Sequence, residues 1–416
     1  MCFYCETHLP QSIQRLFFKK QRYMTTKKYN KYLAFALCVI TTSVNIQGPL
    51  YAVYAHNDGY GVLATTIAFS FYVLGVIPVL LAFGGLSDRI GRRKVILISL
   101  ALSVAATALM LFYPYTRALA VARFILGVGT ALMAATATAY MIELLGSTDA
   151  MRATAWVTAS TTIGFGLGPV LTTVSLMLYE TDQPASFFLL LASGLFAMFL
   201  LYQLPETAPK RTNLPTSMLR LPYFNREVIW YGSGILICWA TTGLVLSVIP
   251  SVLATHGLAK YAGISSMLAI SCGLIVQPIA RKLDPQVSSK LGLLILLPAY
   301  ALLAWGTLNA NLPVILLAAF LASTSCYGFV YLGGMLGVAR SAGNEQARAS
   351  AGYFLMAYIG FSVPVIFTGL IVDRYGAATA FYAFGVFSLV GVIVLFASQP
   401  ILKIGHRSNA NLHSVS

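Results

Sequence analysis

The chain contains twelve predominantly apolar runs separated by short polar segments, and this alternation restricts its fold more than any other feature. A helix of such a length can cross a bilayer, because it rises about 1.5 Å per residue through a hydrocarbon core about 30 Å thick. The runs cover residues 33–55, 61–83, 95–113, 118–141, 153–178, 187–204, 228–254, 263–280, 291–308, 313–338, 351–371 and 377–397. Since 58% of the 416 residues are hydrophobic and only 9% are charged, a soluble fold is excluded. The sequence predicts an all-α integral membrane protein with twelve transmembrane helices.

The Lys and Arg residues fall mainly on one side of these runs. Of the 27, only Arg117, Lys260 and Arg374 lie in loops of the other side, and Arg123 lies within a run. Because cytoplasmic loops carry the excess of cations, the pattern predicts a multi-pass protein of the plasma (bacterial inner) membrane with both termini in the cytoplasm. The net charge of +15 is therefore interpreted as a sign of topology, and no nucleic-acid partner is expected.

The polar segment at residues 205–227 divides the runs six and six. We therefore predict a basic cytoplasmic tail at 1–32, a six-helix bundle at 33–204, a central cytoplasmic loop at 205–227, a second six-helix bundle at 228–397 and a cytoplasmic tail at 398–416. The start stays open, since the residues ahead of Met24 fit an over-long start, a loose basic tail or a targeting peptide. Residues 149–155 match residues 345–351, which indicates two parallel repeats related by an axis along the membrane normal.

A densely charged strip, residues 84–94 (GGLSDRIGRRK), connects the second and third runs. It resembles the loop between helices two and three of the major facilitator superfamily, Gly-x-Leu-Ala-Asp-Arg-x-Gly-Arg-Arg-x, with Ser87 in place of the alanine. The resemblance implies two pseudo-symmetric six-helix bundles over about residues 33–397 that transport by alternating access. The strip positions that it assigns to the conformational switch are Gly84, Asp88, Arg89, Gly91, Arg92 and Arg93.

The same resemblance implies a latch on the cytoplasmic side. Glu143 would pair with the arginines of the strip, and Asp88 would meet the start of span eleven near Arg348, which would hold the outward-facing state closed on the inside. Arg152 and Glu345 flank the same segments and complete the predicted switch. The alternative is a set of solvated topology charges, each worth under ~1 kcal/mol.

Arg123 lies a few residues inside the fourth run. A guanidinium at this depth costs several kcal/mol unless it is paired, hydrated or snorkelling. Arg123 therefore either faces the cavity and responds to substrate or protons, or its side chain reaches the membrane interface. With Gly127 and Gly129 it is similar to the family's fourth-helix motif Arg-x-x-x-Gly-x-Gly, common among proton-coupled members. Leu126 stands where many members carry glutamine.

Gly164, Gly168 and Pro169 in the fifth run resemble the Gly-x-x-x-Gly-Pro element found mainly in the family's exporters. Small residues four apart let helices pack closely, and the proline bends the helix. Packing alone is an equal explanation, and Leu171-Thr172 replaces the usual Gly-Gly.

The polar residues of the runs that line the cavity in this family are neutral. The candidates are Asn45, Gln47, Thr130, Trp239, Thr242, Tyr327 and Tyr331. Aromatic and hydroxyl walls suit amphipathic, hydrophobic or weakly cationic molecules, although helix packing explains such hydroxyls equally well. No acidic residue lies in mid-membrane, so coupling would run through Asp88, Glu143 and Arg123 or be absent.

We therefore expect a secondary transporter that exports small amphipathic or hydrophobic compounds, multidrug-type, in exchange for protons. The alternative is a carrier of a neutral metabolite such as a sugar, in either direction. An enzyme is disfavoured because no set of nucleophile, base or metal ligands converges. The expected partners are a small-molecule substrate and the lipid bilayer, with a proton gradient as driving force, no cofactor, no metal and a functional monomer.

Overall fold

The computed structural model describes residues 11–146, 150–179, 181–207 and 221–398, with side chains described from residue 28 onward. Twelve helices follow one another along these ranges. They are α1 Gln11–Asn45, α2 Val62–Ala82, α3 Arg92–Phe112, α4 Thr116–Leu145, α5 Ala150–Leu178, α6 Ala185–Tyr202, α7 Arg226–Ala254, α8 Ala262–Ser271, α9 Pro285–Leu308, α10 Leu312–Ser341, α11 Gln346–Tyr375 and α12 Ala377–Ala397. The predicted all-α fold of twelve helices is confirmed.

Two of these helices, α1 and α8, differ most from the sequence-based boundaries. The helix α1 begins at Gln11, well ahead of residue 33, and a turn at Gly48–Leu50 leads from its end into a further short helix, Tyr51–Asn57. The α8 segment is shorter than a full span: after Ser271 it tightens into a 3₁₀ turn, Cys272–Ile275, and resumes as Gln277–Ala280. Eleven of the helices in the described ranges are long and apolar enough to cross a membrane.

Some predictions fall outside the described residues. These concern residues 1–10 and 399–416 of the two tails, residues 208–220 of the central segment, and Asp149 at the start of the first repeated motif.

Helices pair in the same way in the two halves of the chain. In the first half, a Cβ on Gly164 of α5 would overlap the backbone carbonyl of Cys38 in α1. In the second half, a Cβ on Gly360 of α11 would overlap the carbonyl of Leu236 in α7. Only glycine permits so close a backbone approach, so the repeat that the sequence indicates recurs as a repeat of packing.

Candidate functional site

The two halves are joined at the face opposite the chain ends. We call the face where α1 begins and α12 ends the terminal face, and the other the opposite face. At the opposite face, the carboxylate of Asp373 at the end of α11 accepts hydrogen bonds from the backbone N–H groups of Val62 and Leu63, both at 2.8 Å. These are free N–H groups at the start of α2, so Asp373 caps that helix from the other half of the chain. One turn deeper, a Cβ on Gly369 would be 2.5 Å from the Thr66 hydroxyl.

A second contact between the halves runs along α5 and α8. Gly263 of α8 lies so close to α5 that a Cβ there would overlap the carbonyl oxygen of Pro169. Farther along the same pair of helices, the Ser271 hydroxyl donates to the Thr162 carbonyl at 3.0 Å. Together with the α2–α11 contacts, this packing closes the space between the halves at the opposite face.

At the terminal face, α2 and α11 enclose a cavity of about 160 Å³. Its α2 wall is Ile77, Leu80 and Leu81, and its α11 wall includes Phe354 and Tyr358. Ligand pockets for drug-sized molecules measure roughly 300–1,000 Å³, so the two helices must separate further for such a compound to enter. The two halves thus pack against each other at the opposite face and leave a small cavity between α2 and α11 at the terminal face.

The charged strip forms a compact network in the first half of the chain. Arg92, only 12% exposed, pairs with Asp88 at 2.6 Å and with Glu143 of α4 at 3.2 Å, and donates to the Ser87 hydroxyl at 2.5 Å. Glu143 also accepts from Thr207. The predicted contact between Glu143 and the strip is therefore present. Asp88 is held within its own strip, and its predicted contact with the start of α11 concerns the opposite conformation and stays a prediction.

Gly91 turns the chain from a short helix, Leu86–Ile90, into α3. Its φ is +108°, a conformation that favours glycine, and a Cβ there would overlap the carboxylate of Glu206. The Glu206 carboxylate in turn accepts from the backbone N–H of Arg93 at 3.3 Å, while the Arg93 side chain donates to the Leu204 carbonyl at 2.9 Å. Sequence reasoning missed Glu206, although its place just past the sixth run, beside Pro205, was a usable signal.

Two residues of the predicted switch, Glu345 and Arg348, lie in the second half of the chain, apart from this network. Glu345 and Arg348 pair with each other at 3.0 Å at the start of α11, and Arg348 also donates to the Leu221 carbonyl. Arg152 and Arg89 are exposed, at the start of α5 and in the strip, and Gly84 lies half-buried in the turn that follows α2.

Arg123 is completely buried, so the snorkelling interpretation is wrong. Its Nη1 donates to the Val44 carbonyl at 2.5 Å and its Nε to the Phe69 carbonyl at 3.5 Å. The guanidinium carbon lies 4.6 Å from the centre of the Phe69 ring and 4.8 Å from that of Tyr72, and Nη2 has no hydrogen-bond partner among the described residues. All of these partners are uncharged.

Aromatic side chains connect the terminal-face cavity to this arginine. We call them the aromatic row, and its members in order are Phe354, Tyr331, Tyr327, Trp239, Phe361 and Tyr72, with Tyr358 against Trp239. Successive ring centres lie 6.3, 6.5, 6.4, 5.7 and 6.4 Å apart, and the Tyr358 ring is 5.1 Å from Trp239. Such spacings are typical of interacting aromatic pairs.

Four of the seven predicted cavity residues lie in or against this row. Trp239, Tyr327 and Tyr331 belong to it, and Thr242, whose hydroxyl donates to the Cys238 carbonyl at 3.3 Å, lies beside Tyr327. A π-helical turn of α10, Thr324–Val330, carries Tyr327; such turns are frequent at functional sites. The members on α2 and α11 were missed, because an aromatic residue in an apolar helix gives no sign of whether it faces lipid or the centre.

The other three cavity candidates are engaged in packing of the first half. The Asn45 amide donates to the Phe165 carbonyl at 3.2 Å, and the Gln47 amide to the Val44 carbonyl at 3.0 Å. Thr130 donates to the Leu126 carbonyl at 2.7 Å and lies beside Tyr72, at the inner end of the row.

The Gly164, Gly168 and Pro169 element lies where α5 packs on both α1 and α8. A Cβ on Gly168 would overlap the Thr42 carbonyl of α1, as one on Gly164 would overlap that of Cys38, and the Pro169 carbonyl faces Gly263 of α8. This element thus joins the first half to itself and to the second half.

Twelve helices in two similarly packed halves, in contact at one face and separated by a cavity at the other, are the architecture of a multi-pass membrane transporter. A sequence model of the Major Facilitator Superfamily matches residues 33–364, and the chain belongs to this family, whose members are transporters and not enzymes.

Two curated relatives resemble the chain to different extents. The Uncharacterized MFS-type transporter YhjO of Bacillus subtilis is 25% identical over 370 residues, which cover 87% of this chain and 90% of that protein. The Chloramphenicol resistance protein CraA of Acinetobacter baumannii is 32% identical over 122 residues, or 29% of this chain and 30% of that protein.

Among solved structures, a point mutant of the nucleoside transporter NupG superposes with a TM-score of 0.75. The match covers 90% of this chain and all of NupG at 14% identity, so this likeness concerns the fold.

Proposed function

We propose that this transporter exports small amphipathic or hydrophobic compounds in exchange for protons. The observation that carries the proposal is the aromatic row. It extends from the terminal-face cavity into the protein and consists of rings and neutral hydroxyls. Such a wall binds by apolar contact and ring stacking, which suits varied compounds of low polarity. It offers no cluster of charged donors for a sugar phosphate or a dicarboxylate.

The proposed orientation places the terminal face in the cytoplasm, in the plasma (bacterial inner) membrane. The cation-rich strip supports this, because Arg89, Arg92, Arg93 and Lys94 all lie at that face. In this orientation the structure is inward-facing, the conformation in which an exporter loads its substrate. Glu143 and Asp88 fix the strip by pairing with Arg92. The change to the outward-facing state would bring Asp88 to the start of α11.

Export as the direction is supported by two observations. The Gly164–Pro169 element packs on α1 and α8 together, at the place where the halves must rock. The partial similarity to a chloramphenicol resistance protein points the same way. Coupling is proposed to run through Asp88, Glu143 and Arg123, with the proton gradient as driving force and a monomer as the working unit.

Purified protein in liposomes with an imposed proton gradient tests the proposal. A panel of dyes, antibiotics, sugars and nucleosides is screened for flux, and we expect uphill movement of the apolar compounds that a protonophore abolishes. Undiminished uphill flux with the protonophore would contradict proton coupling. Flux confined to sugars or nucleosides would instead favour the neutral-metabolite alternative. The Trp239 Nε1 and the Thr324 hydroxyl, which have no hydrogen-bond partner within the described part of the chain, would supply polar contacts for such a compound.

A further inference from the structure

Arg123 is the one fully buried charged side chain among the described residues, and it lies at the inner end of the aromatic row. None of the ion pairs among the described residues includes Arg123. Its partners are two backbone carbonyls and two rings, and its Nη2 remains without a hydrogen bond within the described ranges. A buried charge that no carboxylate neutralises interacts strongly with other charges nearby, because the surrounding dielectric constant is low.

Aromatic side chains fill the interval between the Arg123 guanidinium and Trp239 of the row. The guanidinium lies against the rings of Phe69 and Tyr72, and both rings contact Phe361, with centres 4.7 and 6.4 Å away. Phe361 in turn contacts Trp239 at 5.7 Å. Phe69 is fully buried, and Tyr72 and Phe361 are nearly so, so the interval between charge and row is a region of low dielectric where electrostatic interactions are strong.

The row also contains one unused hydrogen-bond donor. The indole Nε1 of Trp239 is buried and has no partner among the described residues, although the residue as a whole is half-buried and contacts three other rings. A buried indole N–H normally finds an acceptor, since leaving it unmade costs about 1–3 kcal/mol. A bound compound with a carbonyl or similar oxygen can supply that acceptor.

We propose that the aromatic row selects neutral or anionic aromatic compounds that carry a hydrogen-bond acceptor, and rejects lipophilic cations. This deepens the proposed function and rests on its assignment of the row as the substrate site. An aromatic pocket without other charges attracts cations to its ring faces. Here Arg123 occupies the faces of Phe69 and Tyr72, and its field opposes a second cation, while the Trp239 N–H binds the acceptor.

Binding of one scaffold in three charge forms tests the proposal without any transport. Biphenyl carrying an acetyl, a carboxylate or a trimethylammonium group is titrated by calorimetry into the purified full-length protein in detergent at pH 7.5. We expect the acetyl and carboxylate forms to bind at least tenfold more tightly than the trimethylammonium form. Equal or tighter binding of the cation would overturn the charge selection, and failure of all three to bind would overturn the assignment of the row as the site.

Two variants separate the parts of the proposal. Arg123→Gln should reduce the tenfold preference to threefold or less; a preference that persists in folded Arg123→Gln counts against the arginine. If that variant does not fold, the wild-type ratio still decides the charge selection.

Trp239→Phe keeps a ring but removes the donor, so it should weaken the acetyl form at least fivefold and leave unsubstituted biphenyl unchanged. Trp305→Phe, at a position 52% exposed on α9, is the matched control and should change neither. An equal loss for both compounds in Trp239→Phe would overturn the role of the indole N–H. Because only binding is measured, an error in the direction or coupling of transport leaves these outcomes intact.

Discussion

The carboxylate of Asp373 accepts a hydrogen bond from the backbone N–H of Val62 at 2.8 Å, across the boundary between the two halves of the chain. Its other oxygen accepts from Leu63, also at 2.8 Å. A carboxylate at a helix N-terminus satisfies otherwise free N–H groups and interacts favourably with the helix dipole. Since the helix and the cap belong to different halves, these bonds exist only while the opposite face is closed.

We therefore expect Asp373→Ala to shift the protein toward the conformation that is open at the opposite face. Loss of an N-cap costs about 1 kcal/mol, which corresponds to a change of about fivefold in the ratio of the two conformations. Spin labels at Tyr60 and Tyr375, both exposed near the ends of α2 and α11, report the distance between the halves. The longer distances should gain population.

Asp182→Ala is the matched control for this experiment. Asp182 is an acid at the same face, but its partner Asn57, at 3.1 Å, lies in the same half of the chain. Its replacement should leave the distance distribution unchanged. An identical distribution in wild type and Asp373→Ala would show that the cap does not hold the halves together.

The second contact between the halves predicts a steric effect. In Gly263→Ala, the added methyl group overlaps the carbonyl oxygen of Pro169, and overpacking of this kind costs about 1–3 kcal/mol. This cost applies only where α5 and α8 are in contact, so the same pair of spin labels should again move to longer distances. Gly234→Ala, where the new methyl group would meet only ordinary neighbours at 3.7 Å or more, is the control and should leave them unchanged.

The parts of this architecture that sequence could predict are those encoded locally. Apart from α1 and α8, the apolar runs predicted the helices to within a few residues, and the resemblance of the strip to the family's loop predicted the contact of Glu143 with Arg92. Three aromatic positions of α7 and α10, Trp239, Tyr327 and Tyr331, were also found, because they lie in runs that line the cavity in the resembled family.

The missing parts depend on which faces of distant helices meet. The sequence analysis assigns no role to Asp373, since nothing near it in sequence indicates that the first N–H of α2 lies 2.8 Å from its carboxylate. Asn45 and Gln47 looked like cavity residues, but the turn that follows Asn45 directs them into the packing of α1 and α5. The sequence does not predict which face is closed, because the sequence of a transporter must be compatible with both the inward-facing and the outward-facing conformation.

The strip itself predicts a difference between Asp88 and Asp284, which are separated by the same 196 residues as the repeated motifs 149–155 and 345–351. Asp88→Asn removes the charge that pairs with Arg92 at 2.6 Å and that we propose meets the start of α11 in the outward-facing state. Transport by liposomes should fall at least tenfold, while expression and the unfolding temperature stay near wild type.

Asp284→Asn provides the comparison for Asp88→Asn. Asp284 caps α9 through the Gln286 N–H at 2.9 Å and makes an exposed pair with Arg340 at 3.5 Å. Asparagine caps a helix as well as aspartate does, and an exposed pair contributes little, so flux should stay within about twofold of wild type. Equal losses in the two variants, or none in Asp88→Asn, would remove the special role of Asp88.

Gly91 predicts the effect of backbone strain on the same strip. Its φ of +108° is a conformation that an alanine adopts only at a cost of order 1–3 kcal/mol, and the added Cβ would also overlap the Glu206 carboxylate. Gly91→Ala should therefore displace the start of α3 and separate Arg92 from Glu143, which should slow transport by at least tenfold.

Gly85→Ala is the matched control. Gly85 lies six residues earlier at φ −103° with nothing within 4 Å of the new atom, so this variant should transport as wild type does. Because both variants add one methyl group to the same loop, a difference between their liposome fluxes measures the geometry of the strip and not its composition. Equal fluxes would mean that the turn at Gly91 does not position the switch.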